Sequence, residues 1–240
     1  MSEIFHRRQL AQQMATQLLR PGVLDQGLRS GLFLSGIRRT GKTTFLKQDL
    51  IPALEADGAL VIYVDLWSDT TVSPSALLHR AVRSALSELQ NPLSATFAAL
   101  KKVVSAEVAA HGFKFNFDIA KLGEQGGAPL AEAFAEVVEQ ADTDLVLIVD
   151  EVQQCLASED GLAMMLALKA ARDAINLRPN PPGHFVFIGT GSNRALIQEL
   201  SARRNMAFQG AQSLPYPLLG ADFVAHVLTR LKLQDRKSVV

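Results

Sequence analysis

One short loop constrains the fold of this chain more than any other part of the sequence. Residues 36–44 read GIRRTGKTT and directly follow an apolar run. The loop has the spacing G-x-x-x-x-G-K-[ST], in which glycines allow backbone N–H groups to turn inward around an anion. The four matching positions are Gly36, Gly41, Lys42 and Thr43. The pattern predicts a strand, a phosphate-binding loop and a helix whose dipole points at the phosphate; the alternative is a glycine-rich basic turn.

The polar residues of this loop have defined tasks if the anion is a nucleoside triphosphate. Lys42 can reach the β- and γ-phosphates, the Thr43 hydroxyl can bind Mg²⁺, and Thr44 can approach the α-phosphate. The other loop positions contribute backbone groups or flanking side chains. The candidate nucleotide-binding residues are Gly36, Ile37, Arg38, Arg39, Thr40, Gly41, Lys42, Thr43 and Thr44.

Apolar runs alternate with helical segments along the rest of the chain. The runs at residues 60–65, 145–150 and 185–189 are rich in β-branched and aromatic residues, and residues 212–216 give a weaker fifth strand. Because the three strong runs are apolar throughout, both faces of the sheet should be covered. This is typical of a mostly parallel sheet in a three-layer α/β domain.

The composition fits a large globular domain. The chain has 240 residues, 48% of them hydrophobic, and 24 Lys and Arg balance 24 Asp and Glu. Zero net charge argues against a dedicated nucleic-acid binder, although a local patch could still contact DNA. A single cysteine, Cys155, and the lack of a signal or membrane-spanning run predict a cytoplasmic protein without membrane contact.

Two acids end the most apolar run, where a P-loop protein needs a second magnesium ligand. We expect Asp150 to hold Mg²⁺, through water because this ion keeps much of its hydration shell. Glu151 can orient and deprotonate the attacking water. The alternative is a pair of helix-capping acids. After the fourth run, Ser192 and Asn193 can contact the γ-phosphate or the water, or cap the next helix.

Three segments, GIRRTGKTT, LVLIVDEVQ and FVFIGTGSN, resemble in this order the AAA+ branch of P-loop ATPases. They look closest to the archaeal-type ATPases and the STAND group of nucleotide switches. The resemblance covers residues 1–225 and implies a P-loop NTPase sheet of order 5-1-4-3-2. It implies ATP and Mg²⁺ as cofactors and Ser192 or Asn193 as the sensor-1 residue. It also implies that Phe5 and Arg7 lie near the adenine.

The resemblance further implies an arginine, just before the fifth strand, that completes a neighbour's active site. Arg203 and Arg204 stand at that place, and a finger acting in trans would require a homo-oligomer. The alternative is that both arginines interact only with a helix dipole and solvent.

In this family a helical lid follows the ATP-binding domain. We expect the domain over residues 1–220, with an N-terminal helix at 1–22. We expect a hairpin-like insertion at 111–127, where phenylalanines alternate with polar residues. Residues 221–240 would be the start of a truncated lid helix.

Three functions stay open on the sequence alone. The first is an Mg-dependent ATPase that couples nucleotide state to an unidentified protein partner. The second is a STAND-like switch with slow or no hydrolysis, and the third is a DNA-associated helper ATPase. Glu151 favours the first, the truncated lid favours the second, and zero net charge opposes the third. The catalytic candidates are Lys42, Glu151, Ser192, Asn193, Arg203 and Arg204.

We predict that Lys42→Ala abolishes or nearly abolishes ATP binding, because the loop loses the cation that meets the β- and γ-phosphates. Equilibrium titration with Mg-ATP measures this. Undiminished affinity in the variant would contradict the phosphate-loop interpretation.

Overall fold

The computed structural model describes residues 4–94, 97–98, 104, 106–204 and 206–237. Within them, five strands form one parallel sheet. The strands are β1 (Leu32–Ser35), β2 (Leu60–Asp65), β3 (Leu145–Asp150), β4 (Phe185–Gly191) and β5 (Gln212–Pro215). Their spatial order is β2-β3-β4-β1-β5, which is the predicted order read from the opposite edge. The predicted sheet is therefore confirmed.

Helices connect and flank the strands. The α-helices are α1 (Arg8–Leu19), α2 (Lys42–Phe45), α3 (Ile51–Ala56), α4 (Pro74–Gln90), α5 (Ala106–His111), α6 (Leu130–Ala141), α7 (Glu159–Asn176), α8 (Arg194–Ala202) and α9 (Ala221–Lys237). A π-helical turn, Leu46–Leu50, joins α2 to α3. Helices α4 and α7 begin at serine caps, since the Ser73 and Ser158 side chains accept hydrogen bonds from backbone N–H groups three residues later.

Both faces of the sheet are covered because residues along a strand alternate sides. In β3, Leu145, Leu147 and Val149 pack in a cluster with α4, α6, α7 and α8. Val146 and Ile148 pack on the opposite face with α1, α2 and α3. All five side chains are fully buried. The predicted three-layer α/β architecture is thus confirmed.

Residues 111–127 do not form the predicted hairpin, since the structure assigns no strand to them. His111 ends helix α5, Ile119–Lys121 form a 3₁₀ turn, and the stretch before that turn lies against helix α6 rather than against a second strand. The backbone N–H of Lys114 donates to Gln140 Oε1 at 3.0 Å, and Gln140 Nε2 donates back to the Lys114 carbonyl at 2.6 Å. The alternation of phenylalanines and polar residues was misleading, because helix side chains bind the backbone of this segment in place of a partner strand. The three rings that stack in succession are Phe113, Phe115 and Phe117.

The two ends of the chain are helical within the described part. Helix α1 covers Arg8–Leu19, so it begins seven residues later than the predicted start at residue 1, and α9 covers residues 221–237. Residues 1–3 and 238–240 of the predicted terminal helices lie outside the described residues. Among the described helices, none combines the length and apolar character that crossing a membrane requires.

We predict that Leu147→Ala lowers the free energy of unfolding by about 2–5 kcal/mol, because it leaves a cavity in the middle of the central sheet. Leu177→Ala is the matched control. Leu177 is 79% exposed, so its truncation should change stability by less than about 0.5 kcal/mol. Chemical denaturation of both variants measures the difference, and equal effects would contradict the described core.

Candidate functional site

The loop at residues 36–41 is held between β1 and α2 by close backbone contacts. The Gly36 N–H donates to the Gly191 carbonyl at 3.1 Å, which extends the β1–β4 pairing past the strand. A Cβ on Gly36 would lie 3.0 Å from Tyr216 Cβ and 3.2 Å from Lys42 Cδ. Gly41 has a φ of 80°, which a side chain would disfavour. The structure therefore explains why a side chain would be disfavoured at both positions.

The Lys42 side chain is buried inside this loop, although lysine side chains are mostly exposed in folded proteins. It is 7% exposed, and its Nζ donates to the carbonyls of Gly36 at 2.5 Å and Ile37 at 3.1 Å. Burial lowers the pKa of the amine, and the nearby carboxylates of Glu151 and Asp150 oppose that shift. The loop thus concentrates one positive charge and several N–H groups at the end of β1.

Asp150 is the most connected side chain of the site. It is 1% exposed. One oxygen, Oδ2, accepts from Thr43 Oγ1 at 2.7 Å and from the Tyr63 hydroxyl at 3.0 Å. The other, Oδ1, accepts from the Thr190 hydroxyl and from the Glu151 N–H at 3.1 Å. The carboxylate therefore links β2, β3, β4 and α2 at one point.

The groups beside Asp150 suit a hard cation. Burial, followed by the negative charge of Asp150, raises the pKa of Tyr63, so its phenol stays a donor. Thr43 and Asp150 offer oxygen ligands of the kind that Mg²⁺ prefers. No group of three His, Cys, Asp or Glu able to hold a metal occurs in the described part of the chain. A magnesium ion here would need further oxygens from phosphates and water.

Glu151 directly follows the end of β3 with an unusual backbone conformation. Its φ is 56°, in the left-handed region that non-glycine residues rarely adopt. Its Oε2 accepts from Ser192 Oγ at 3.0 Å and from the side-chain amide of Gln153. The Gln153 amide also lies 3.4 Å from Ser192 Oγ. The left-handed turn therefore directs the second acid toward the end of β4.

Ser192 and Asn193 make different contacts although they are adjacent in the sequence. Ser192 joins the acid cluster through Glu151. Asn193 instead caps helix α8, because its Oδ1 accepts from the N–H groups of Ala195 at 3.1 Å and Leu196 at 3.3 Å. The structure thus brings Ser192, and not the Asn193 side chain, to the other candidate residues.

Arg203 and Arg204 directly follow helix α8 and are far from the loop in the sequence. Both are exposed, and Arg203 pairs with Glu199 one helical turn earlier. Within the described part of the chain, neither arginine forms a hydrogen bond or ion pair with the loop or with the two acids. Their role in a neighbouring molecule's site stays a prediction.

The two arginines of the loop point to different parts of the site. The Arg38 guanidinium carbon lies 4.3 Å from the centre of the Trp67 ring, and its Nε is 3.5 Å from Ser192 Oγ. Arg39 has a φ of 65° and borders a cleft on the other side of the loop. Of the remaining loop residues, Thr40 donates from its Oγ1 to the Ile37 carbonyl at 2.8 Å, and Thr44 borders the same cleft as Arg39.

The cleft beside the loop has a volume of about 310 Å³ and an aromatic lining. The side chains around it come from the N-terminal segment, the loop and the stretch after β5. The lining residues that matter here are Phe5, Arg7, Arg39, Thr44, Tyr216 and Phe223. The predicted positions of Phe5 and Arg7 therefore border the loop.

A buried acid fixes the N-terminal wall of this cleft. Asp49, in the π-helical turn, accepts from the Arg7 N–H at 2.9 Å and lies 2.7 Å from His6 Nδ1. The Arg7 guanidinium also donates to the Pro217 carbonyl at 2.7 Å. These contacts hold the segment before α1 against the helix that follows the loop.

Several residues of the site did not stand out in the sequence. Each lies at the carboxyl end of a strand or just beyond it, where its neighbours in space come from other strands. A polar residue inside an apolar run is a usable signal for two of them, Tyr63 and Thr190. The residues missed are Tyr63, Trp67, Gln153 and Thr190.

Comparison with solved structures shows the same fold. The chain is similar to the Aeropyrum pernix ORC2 protein in its ADPNP-ADP complexes, with a TM-score of 0.54 and 15% identity, and in its ADP form, with 0.53 and 15%. Each comparison covers 96% of this chain and 53% of the other. The ORC1 protein of the same organism, in complex with DNA, gives a TM-score of 0.49 and 14% identity, and the comparison covers 96% of this chain and 50% of the other. The chain thus spans about half the length of these proteins.

The family assignment rests on the sequence itself. No curated protein gives a significant match to the chain. A family model described as AAA domain matches residues 26–197, more than half of the chain. The match includes β1, the glycine-rich loop, Asp150 and β4, and it agrees with the five-stranded parallel sheet. The chain belongs to the AAA family of nucleotide-binding P-loop ATPases.

Proposed function

We propose that this chain binds ATP together with Mg²⁺, hydrolyses it, and couples the nucleotide state to a partner protein. One observation carries the proposal: the glycine-rich loop, a candidate metal-binding pair and a candidate base meet at one edge of the sheet. Thr43 and Asp150 are in hydrogen-bond contact at 2.7 Å, and Glu151 stands beside them.

Binding of the nucleotide would use both sides of the loop. The N–H groups of residues 36–41 and the start of α2 receive the phosphates. Lys42, whose amine already lies inside the loop, would donate to the β- and γ-phosphates in place of the loop carbonyls. The aromatic cleft with Phe5 and Tyr216 suits a purine base, and the resemblance to ATPases favours adenine.

Thr43 and Asp150 are the residues that would hold the metal. Magnesium would supply positive charge that offsets the charge developing on the transferred phosphoryl group. All four acceptor positions of the Asp150 carboxylate are already used by donors. A water bound to Mg²⁺ would therefore have to replace one of these donors to reach Asp150, while the Thr43 hydroxyl would provide the direct contact.

Glu151 is the candidate base for the hydrolytic step. Water attacks the γ-phosphorus, the bond to the leaving oxygen of ADP breaks, and the proton of the water passes to the Glu151 carboxylate. Ser192 and Gln153 orient that carboxylate in the structure. Arg203 or Arg204 of a second copy would add charge in trans, in which case the active form is an oligomer.

The same contacts favour a second candidate function, a slow nucleotide switch of the STAND type. If Ser192 and Gln153 keep their hydrogen bonds to Glu151 while ATP is bound, the carboxylate stays turned from the water. ATP would then be held rather than cleaved, and binding alone would signal to the partner.

We predict that Gly36→Ala weakens ATP binding at least about tenfold, a cost of ~1.4 kcal/mol. The new methyl group would press on Lys42 and on Tyr216 next to the loop. Gly22→Ala is the matched control, because its Cβ would meet only Asp25 Oδ2 at 3.6 Å. Isothermal titration with ATP compares them, and equal affinities would contradict the described loop packing.

We predict that Glu151→Gln binds ATP but loses turnover by at least about 100-fold, because the amide keeps the shape and removes the base. Steady-state phosphate release over a range of protein concentrations measures this. Turnover per molecule that rises with concentration would support assembly in trans.

Glu159→Gln serves as the control, since Glu159 is exposed in the first turn of α7 and should leave turnover unchanged. If wild-type protein binds ATP and releases no phosphate at any concentration, the switch replaces the ATPase as the function. If Glu151→Gln hydrolyses ATP as fast as wild type, Glu151 is not the base.

A further inference from the structure

Arg38 crosses the edge of the sheet where the candidate acids lie. Its Nε is 3.5 Å from Ser192 Oγ, just after β4, and its guanidinium carbon is 4.3 Å from the centre of the Trp67 ring, just after β2. Strand β3 lies between those two strands and ends in the acid pair. The guanidinium therefore lies beyond the end of β3, next to the Ser192 hydroxyl that donates to Glu151.

Arg38 and Lys42 form a pair of cations beside the two acids of the site. Burial is the main cause of the lowered pKa of the Lys42 amine; Glu151 and Asp150 oppose that shift, and the nearby charge of Arg38 adds to it. Among the residues that the structure describes, no carboxylate forms an ion pair with Arg38. Because Arg38 has no ion-pair partner of its own in the described part of the chain, its charge is available to a terminal phosphate bound next to Lys42.

We propose that Arg38 binds the γ-phosphate of ATP, leaves the Trp67 ring when it does so, and thereby makes the loop distinguish ATP from ADP. This inference rests on the proposed ATP binding and assigns a sensing role within the same chain. A guanidinium holds a phosphate with two parallel charge-assisted hydrogen bonds, which is stronger than stacking on an exposed ring. ADP has no terminal phosphate, so Arg38 would stay on Trp67 in its presence.

Arg39 provides an internal contrast. Its left-handed φ of 65° turns the chain, and its side chain borders the cleft with Phe5 and Thr44 rather than the acids. Arg38 and Arg39 therefore carry the same charge on the same loop but lie on different sides of it. Only Arg38 should respond to the presence of the third phosphate.

Trp67 makes the proposal directly measurable, because it is the only tryptophan of the chain. We expect its emission to change when the β,γ-imido analogue of ATP binds with Mg²⁺, since the guanidinium leaves the indole. We expect saturating ADP to leave the emission unchanged. In Arg38→Ala, both nucleotides should give the same emission.

Affinities measured by titration calorimetry give the second readout. Arg38→Ala should weaken the analogue about tenfold or more and change ADP affinity by less than about twofold, because one bidentate contact to the terminal phosphate is lost. Retained ADP binding also shows that the variant is folded. Arg39→Ala should keep the wild-type ratio of the two affinities, whatever its effect on each.

Two results would overturn the inference: an emission change that ADP produces equally, or an affinity ratio in Arg38→Ala equal to that of wild type. Wild-type protein that binds neither nucleotide would instead remove the proposed function, and the inference with it. A distinct response to the analogue that persists in Arg38→Ala would assign the sensing to another residue.

Discussion

A buried negative charge organises this site. Asp150 is almost completely removed from solvent, and an ion in such a place is tolerated only when donors surround it. Four donors from three other parts of the chain and from its own neighbour meet it. Each hydrogen bond to a charged group contributes about 1.5–3 kcal/mol, so the site and the strand order stabilise each other.

The loop divides the space at the end of β1 into two regions of different chemistry. On one side, aromatic rings and the segment fixed by Asp49 form a cleft suited to a base. On the other side lie the acids, Ser192 and the Arg38 guanidinium. The left-handed backbone at Arg39 separates them, because it sends two consecutive arginines in different directions. The proposed base-binding cleft and the proposed hydrolytic site thus lie on different sides of one loop.

Much of the fold follows from local patterns. Fully apolar runs give buried strands, and glycine spacing gives the loop at residues 36–41, because both depend on nearest neighbours. The segment at 111–127 shows where that reasoning fails. Alternation indicates that one face of a segment is buried, but it does not indicate what binds the backbone groups. Here a side chain of helix α6 binds them.

The sequence by itself determined the buried strands, the glycine-rich loop and the two acids at the end of β3, since each is written in a short run of consecutive residues. Only the tertiary structure decided that Ser192 faces Glu151 while Asn193 caps a helix. It also decided that Tyr63 supports Asp150 and that Arg38 rests on Trp67. The physical reason is the strand order β2-β3-β4-β1: it brings together strand ends that are far apart along the chain, and no local pattern encodes those contacts.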